Sequence, residues 1–313
     1  MQKIFYGAPG TGKSYMIDND IISLVDDDYI YRVTFYPDFT YNDFIGQLMP
    51  KVTPSITGSG NTITYDFQKG VFTLALEKAY ENTSKDVFLI IEEMSRGDCA
   101  AIFGDIFQLL DREKIGVNTG YSRYSINNEL IAKDIVALNM DSKVKLPPNF
   151  HILGTVNTSD QNVYVMDTAF KRRFEWEYVN TKPVPIVING ANTNNYVNNI
   201  EIKINKANVQ ISVEWVKLYQ TLNKFIADEQ YLGLGEDKQI GPFFIEFDET
   251  APYTEHKNQL KNKLLHYLWS DIHKVSFKQD VKLFRNDIGM FSELYDEFEK
   301  DNQIFSLEFL ALL

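Results

Sequence analysis

Gly7-Ala8-Pro9-Gly10-Thr11-Gly12-Lys13-Ser14 stands between a short apolar run, Lys3-Ile4-Phe5-Tyr6, and a helix-like stretch from Tyr15 to Leu24. The octet satisfies G-x-x-x-x-G-K-[ST], and strand, glycine loop and helix in that order are what a phosphate-binding loop needs. Gly7, Gly10 and Gly12 let backbone N–H groups turn onto phosphate oxygens in conformations a Cβ opposes, with Ala8, Pro9 and Thr11 between them. Lys13 offers a flexible charge to β- and γ-phosphates and Ser14 a hydroxyl to Mg²⁺. The helix that opens at Tyr15 adds the partial positive charge of its N-terminus.

Such a loop needs an acidic strand end opposite it, to hold the metal and orient a water. Val87-Phe88-Leu89-Ile90-Ile91-Glu92-Glu93 is the buried run that ends in acids. Glu92 takes the metal-side position and Glu93 the position that polarises water. Glu is one methylene longer than the Asp more usual at the first place, so its metal contact is either direct with a shifted backbone or carried by water. Further strands are expected over Tyr29 to Phe35, Lys85 to Ile91, His151 to Val156 and Arg173 to Tyr178, and helices over Asp98 to Leu110 and Val163 to Lys171. Strands alternating with helices predict an α/β fold with a parallel sheet. Lys51 to Gly70 and Gly116 to Lys145 read as hairpin insertions. Pro183 and Pro185 open an Asn-rich connecting segment over 181–210. It separates a core over 1–180 from a helical lid subdomain over 211–313.

The 313 residues are 44% hydrophobic and 24% charged, which excludes a disordered chain. A net charge of −12 argues against coating nucleic acid by bulk charge. One cysteine, Cys99, makes no internal disulfide, and four scattered histidines give no zinc spacing. Cys99 and His151 read as structural. The basic run through Lys257, Lys261 and Lys263 reads as a solvated helix face, with a DNA or partner contact as the alternative. No signal-peptide pattern and no apolar run of ~18 residues is present, so a cytoplasmic protein away from membranes is expected.

The phosphate loop, Glu92-Glu93-Met94-Ser95-Arg96-Gly97-Asp98, the helix Phe103 to Asp111, and Leu153-Gly154-Thr155-Val156-Asn157-Thr158-Ser159-Asp160 followed by Ala169-Phe170-Lys171-Arg172-Arg173-Phe174 resemble the AAA+ motor domain of McrB-type restriction NTPases. Val33 to Pro37 with Tyr41 to Ile45, and Ile240-Gly241-Pro242-Phe243-Phe244 within the lid, resemble further elements of that family in its order. The resemblance implies a ring-forming NTPase, typically a hexamer, with Mg²⁺ and a preference for GTP, ATP being the alternative. It implies that Asn157 helps place the water and that Asp160 lies in the family's catalytic loop. Arg172 and Arg173 would reach the neighbour's γ-phosphate in trans, one of them as the finger. Arg96 would lie near the pore or partner face. As partners it implies an McrC-like nuclease subunit and DNA driven through the assembled complex.

Two departures stand out. Gln161 replaces the basic residue that commonly follows the Asp, and the acidic pair is Glu-Glu. With the first strand starting beside Met1, the sequence as it stands leaves no room for an N-terminal module that reads modified DNA, so either another polypeptide reads DNA or the chain is trimmed. Two other functions are weighed: an ATP-dependent remodelling protein of the MoxR-like kind, and a nucleotide-binding scaffold or switch with little hydrolysis.

Overall fold

The expected strand over Lys3 to Tyr6 forms as β1 (Gln2–Gly7), with Ile4 and Phe5 fully enclosed. A computed structural model of the chain describes residues 1–54, 61–138, 142–159, 164–188, 190–207, 209–276, 278 and 280–313. From β1 the chain enters α1 (Lys13–Met16), whose helical turns continue over Ile17–Ile21, and returns as β2 (Ile30–Thr34). α2 (Tyr41–Ile45), closed at its start by reciprocal bonds between Thr40 and Asp43, leads into a long hairpin of β3 (Gly46–Pro54) and β4 (Asn61–Lys69). α3 (Val71–Glu81) precedes β5 (Val87–Glu92), and α4 (Cys99–Phe103) is followed by helical turns over Gly104–Leu110. The short ladder of β6 (Ile126–Asn127) and β7 (Lys143–Val144) brackets α5 (Glu129–Asp134). β8 (Phe150–Asn157), α6 (Thr168–Lys171) and β9 (Glu175–Tyr178) follow.

Five strands join in one parallel sheet in the order β2-β5-β8-β1-β9. β5 and β8 lie side by side at its middle, which is why Val87 to Ile91 are apolar on both faces. Phe44, Phe72, Phe103, Phe150 and Phe170 meet edge-on or tilted between the sheet and its helices. Cys99 is buried there, its thiol donating to the Met94 carbonyl and pushed up to about 12 by burial.

The chain divides into two compact units. One comprises Met1–Tyr6 and Ser14–Glu177, the other Gly7–Lys13 and Tyr178–Leu313. In the second unit, β10 (Pro185–Ile188) pairs with β11 (Ala191–Tyr196), and β12 (Glu201–Lys206) with β13 (Val209–Glu214). α7 (Trp215–Ala227), α8 (Tyr253–Gln259) with helical turns over Leu260–Leu265 and Leu268–His273, α9 (Phe291–Glu299) and α10 (Leu307–Leu310) complete it. α7 turns Trp215, Leu218, Tyr219, Leu222, Phe225 and Ile226 inward, at the spacing of one helix face.

Several local expectations are corrected. The stretch Gly116 to Lys145 is not a simple hairpin, since α5 occupies its middle. The first long hairpin begins at Gly46 rather than near Lys51. The Asn-rich segment over 181–210 is more than a connection: it folds into hairpins, and Ile202 and Ile204 of β12 with Val213 of β13 enter the second unit's core. The helix expected over Asp98 to Leu110 changes its winding at Gly104, and the one expected from Val163 starts at Thr168, where Asp167 accepts from the Phe170 amide. Val163 lies outside the described residues. Lys257 and Lys261 pair with Asp301 and Glu299, which satisfies them within the unit.

Candidate nucleotide site

In the second unit the glycine loop is fastened by backbone. The Gly241 amide donates to the Pro9 carbonyl at 2.9 Å and the Phe243 amide to the Gly10 carbonyl at 2.8 Å. Gly10, at φ +74°, and Gly241 approach so closely that a Cβ on Gly241 would lie 2.3 Å from the Gly10 oxygen, and one on Gly10 2.3 Å from the Phe244 nitrogen. Both positions therefore require glycine. The strap is itself pinned. Asn223 bonds both the Ile240 amide and carbonyl, while the Pro242 carbonyl accepts from Asn198 Nδ2 and Trp215 Nε1. With the Pro9 and Gly10 carbonyls engaged by the strap, the loop's shape is set before any phosphate arrives. Ala8 and Thr11 are buried, and the Thr11 hydroxyl donates to the Ala8 carbonyl. Lys13 is also buried, its ammonium donating to the Gly7 and Ala8 carbonyls at 3.1 and 2.9 Å. Tyr15, by contrast, is 57% exposed.

In the first unit, Ser14 and the ends of β5 and β8 come together. Ser14 Oγ donates to Glu92 Oε2 at 3.1 Å, and Thr155 Oγ1 donates to the same oxygen at 2.5 Å. Glu92 Oε1 accepts from Arg32 of β2 at 2.5 Å, and the guanidinium's other arm pairs with Asp18. The longer Glu side chain thus reaches Ser14 without a break in β5. A hydroxyl and one carboxylate, both hard oxygen donors, suit Mg²⁺, which takes few protein ligands and completes its shell with phosphate and water. Among the described residues no cluster of three or more His, Cys, Asp or Glu forms an all-protein metal cage.

Glu93 follows at once in left-handed backbone, φ 53° and ψ 43°. A non-glycine residue in that region carries strain of order 1 kcal/mol and persists only where its surroundings enforce it. Here Thr155 Oγ1 accepts from the Glu93 amide at 3.1 Å, Asn157 Nδ2 donates to Glu93 Oε1 at 2.7 Å, and Arg96 approaches Oε2 at 3.4 Å. Thr155 and Asn157 lie two apart on β8 and share a face, so one strand serves both acids. Asp160 lies outside the described residues.

The two arginines differ. Arg173 is enclosed: Nη2 donates to Asp111 at 2.8 Å, Nη1 to the Ala169 carbonyl at 2.7 Å, and the guanidinium lies 3.9 Å from the Phe107 ring centre. Arg172, the next residue back, is exposed beside a cleft lined by Asp111, Arg112 and Arg123. Its side chain makes no hydrogen bond or ion pair among the described residues.

Arg32, Asp18 and Thr155 were not foreseen. Thr155 had a signal, its place two residues before Asn157 on a buried strand. Arg32 had a fainter one, as the charged residue inside the short strand Ile30-Tyr31-Arg32-Val33-Thr34.

The sequence profile of the AAA domain (dynein-related subfamily) matches residues 3–174, more than half of the chain. The chain is 33% identical over 326 residues to the Type II restriction enzyme BsuMI component YdiS of Bacillus subtilis strain 168, covering 98% of this chain and 88% of that protein. It is 26% identical over 222 residues to the Type IV methyl-directed restriction enzyme EcoKMcrB subunit of Escherichia coli K12, covering 67% of this chain and 43% of that one. No helix among the described residues is long and apolar enough to cross a membrane. A strapped phosphate loop, a strand-end pair of acids with its threonine and asparagine, and these likenesses lead to one conclusion: the chain belongs to the AAA+ P-loop NTPases of the McrB type.

Proposed function

We propose that this chain is the nucleotide-hydrolysing motor subunit of an McrBC-like, modification-dependent restriction system. It works as a hexameric ring, hydrolyses GTP with Mg²⁺, drives DNA and activates a separate McrC-like nuclease subunit. The observation that carries the hydrolytic part is the Asn157–Glu93 bond at 2.7 Å beside the Ser14–Glu92–Thr155 cluster. The restriction role is supported by what the two curated relatives are named for.

In this reading the loop from Gly7 to Gly12 turns its amides to the phosphates. Lys13 exchanges two backbone carbonyls for phosphate oxygens, trading neutral acceptors for charged ones. Ser14 and Glu92 hold Mg²⁺, which when bound neutralises charge on the phosphates. Glu93 accepts the proton of the attacking water, with Asn157 fixing the carboxylate that does so and Asp160 assisting as the family resemblance implies. Arg172 is the finger supplied to the neighbouring subunit, because its fork is not already committed. Arg173 is bound to Asp111 and organises the turn that presents Arg172.

Steady-state hydrolysis of GTP and ATP by assembled protein tests this. GTP turnover is expected to exceed ATP turnover. Glu93→Gln should lower it by about 10² or more with nucleotide still bound, and Lys13→Ala should abolish binding. Turnover of ATP alone would turn the assignment toward a MoxR-like remodelling ATPase. Tight binding with turnover indifferent to Glu93→Gln would make it a switch.

A further inference from the structure

We infer that Arg32, held by Asp18, is the positioning residue for the metal-side carboxylate Glu92, an inference that rests on the nucleotide reading above. The three groups come from separate stretches of the first unit: Asp18 from the turns after α1, Arg32 from β2 and Glu92 from the end of β5. In the parallel register Arg32 lies level with Ile90, and Thr34 with Glu92. Arg32 therefore reaches forward diagonally along the sheet to the acid.

The division of labour within the carboxylate is the argument. Glu92 Oε1 is taken by Arg32, whereas Oε2 takes the Ser14 and Thr155 hydroxyls. A glutamate has one more rotatable bond than an aspartate, and an unrestrained carboxylate at the end of that longer arm would sample many orientations. The planar guanidinium fixes one oxygen, which leaves the other on Ser14. A lone arginine here would also oppose a divalent cation by charge. Asp18 pairs with the second guanidinium arm and offsets that charge, so the clamp orients Glu92 at little electrostatic cost. Glu92 is 16% exposed and Arg32 37%, so the pair is partly shielded from solvent, while Arg32 has room to be replaced without opening the core.

The test separates metal binding from nucleotide binding in the full-length chain. Mn²⁺ affinity is read from the electron paramagnetic resonance signal of free Mn²⁺, with a saturating non-hydrolysable GTP or ATP analogue, whichever binds. Nucleotide affinity is read by fluorescence in EDTA. Arg32→Ala is expected to weaken Mn²⁺ binding about tenfold and to leave metal-free nucleotide affinity within about twofold. Arg32→Lys should recover part of the loss, because an ammonium holds one carboxylate but not both in a fork. Asp18→Asn, which keeps Arg32 in place, should fall between. Unchanged or tighter Mn²⁺ binding in Arg32→Ala would overturn the inference, as would an equal loss with and without metal. Wild-type protein that binds no Mn²⁺ beside nucleotide would sink the nucleotide reading as well; wild-type binding with an unaffected Arg32→Ala would sink the clamp alone.

Discussion

The strand ends of β5 and β8 and the turn after α6 handle charged side chains in opposite ways. At the strand ends Glu92 and Glu93 are each held by several groups, and one threonine hydroxyl serves both acids. At the turn, Arg173 is tied to Asp111 and Ala169, while the side chain of its exposed neighbour Arg172 has no hydrogen-bond or ion-pair partner among the described residues. Tethered acids suit chemistry whose geometry must be ready in each subunit. An untethered arginine suits a contact completed by another copy. In the proposed ring, preorganisation would thus lie where the subunit acts alone and be withheld where a second one finishes the site.

The sharpest way to break this contrast is to exchange the arginines' fates. Arg172→Ala should lower turnover of the assembled ring by about 10³-fold without altering its thermal midpoint. Mixing it with Glu93→Gln subunits should restore a measurable fraction, since one copy supplies the arginine and the other an intact acid. No recovery in the mixture would place Arg172 outside the neighbour's site. Arg173→Ala should instead cost about 2 kcal/mol of stability, seen as a lowered melting temperature, because Asp111 loses its partner and the Phe107 face its cation. Gly241→Ala should weaken nucleotide binding by about tenfold, as measured by fluorescence titration, since the new methyl group must push the strap off the Gly10 carbonyl. Asn157→Ala, which frees one oxygen of Glu93, should reduce turnover by several-fold to about tenfold with little change in binding.

Much of the sheet was legible because its strands are apolar runs bounded by chemistry-bearing residues: Val87 to Ile91 ends in two acids, and Ile152 to Val156 in Asn157. The hairpin of β12 and β13 was harder to see. Ile202 and Ile204 opposite Ile211 and Val213 do alternate, but the turn has Ala207 at φ 50°, where a glycine or asparagine would ordinarily mark the reversal. The glycine octet and both acids were nameable from residue type and spacing, and Asn157 from the family resemblance. Arg32 was not, because its tie to Glu92 depends on which strand lies beside β5, and pairing order is a property of the whole sheet. Two adjacent arginines likewise look alike in a string of letters. Only the packing of Phe107 and Asp111 around one of them tells them apart.

Glu93 in its left-handed backbone has one more implication. A glycine there would relax the chain and recover something of order 1 kcal/mol, yet it would remove the carboxylate assigned to water. If Glu93 has the role proposed for it, selection for a sturdier fold and selection for turnover pull this one position in opposite directions. A screen for heat resistance that ignored activity would be drawn to replace it.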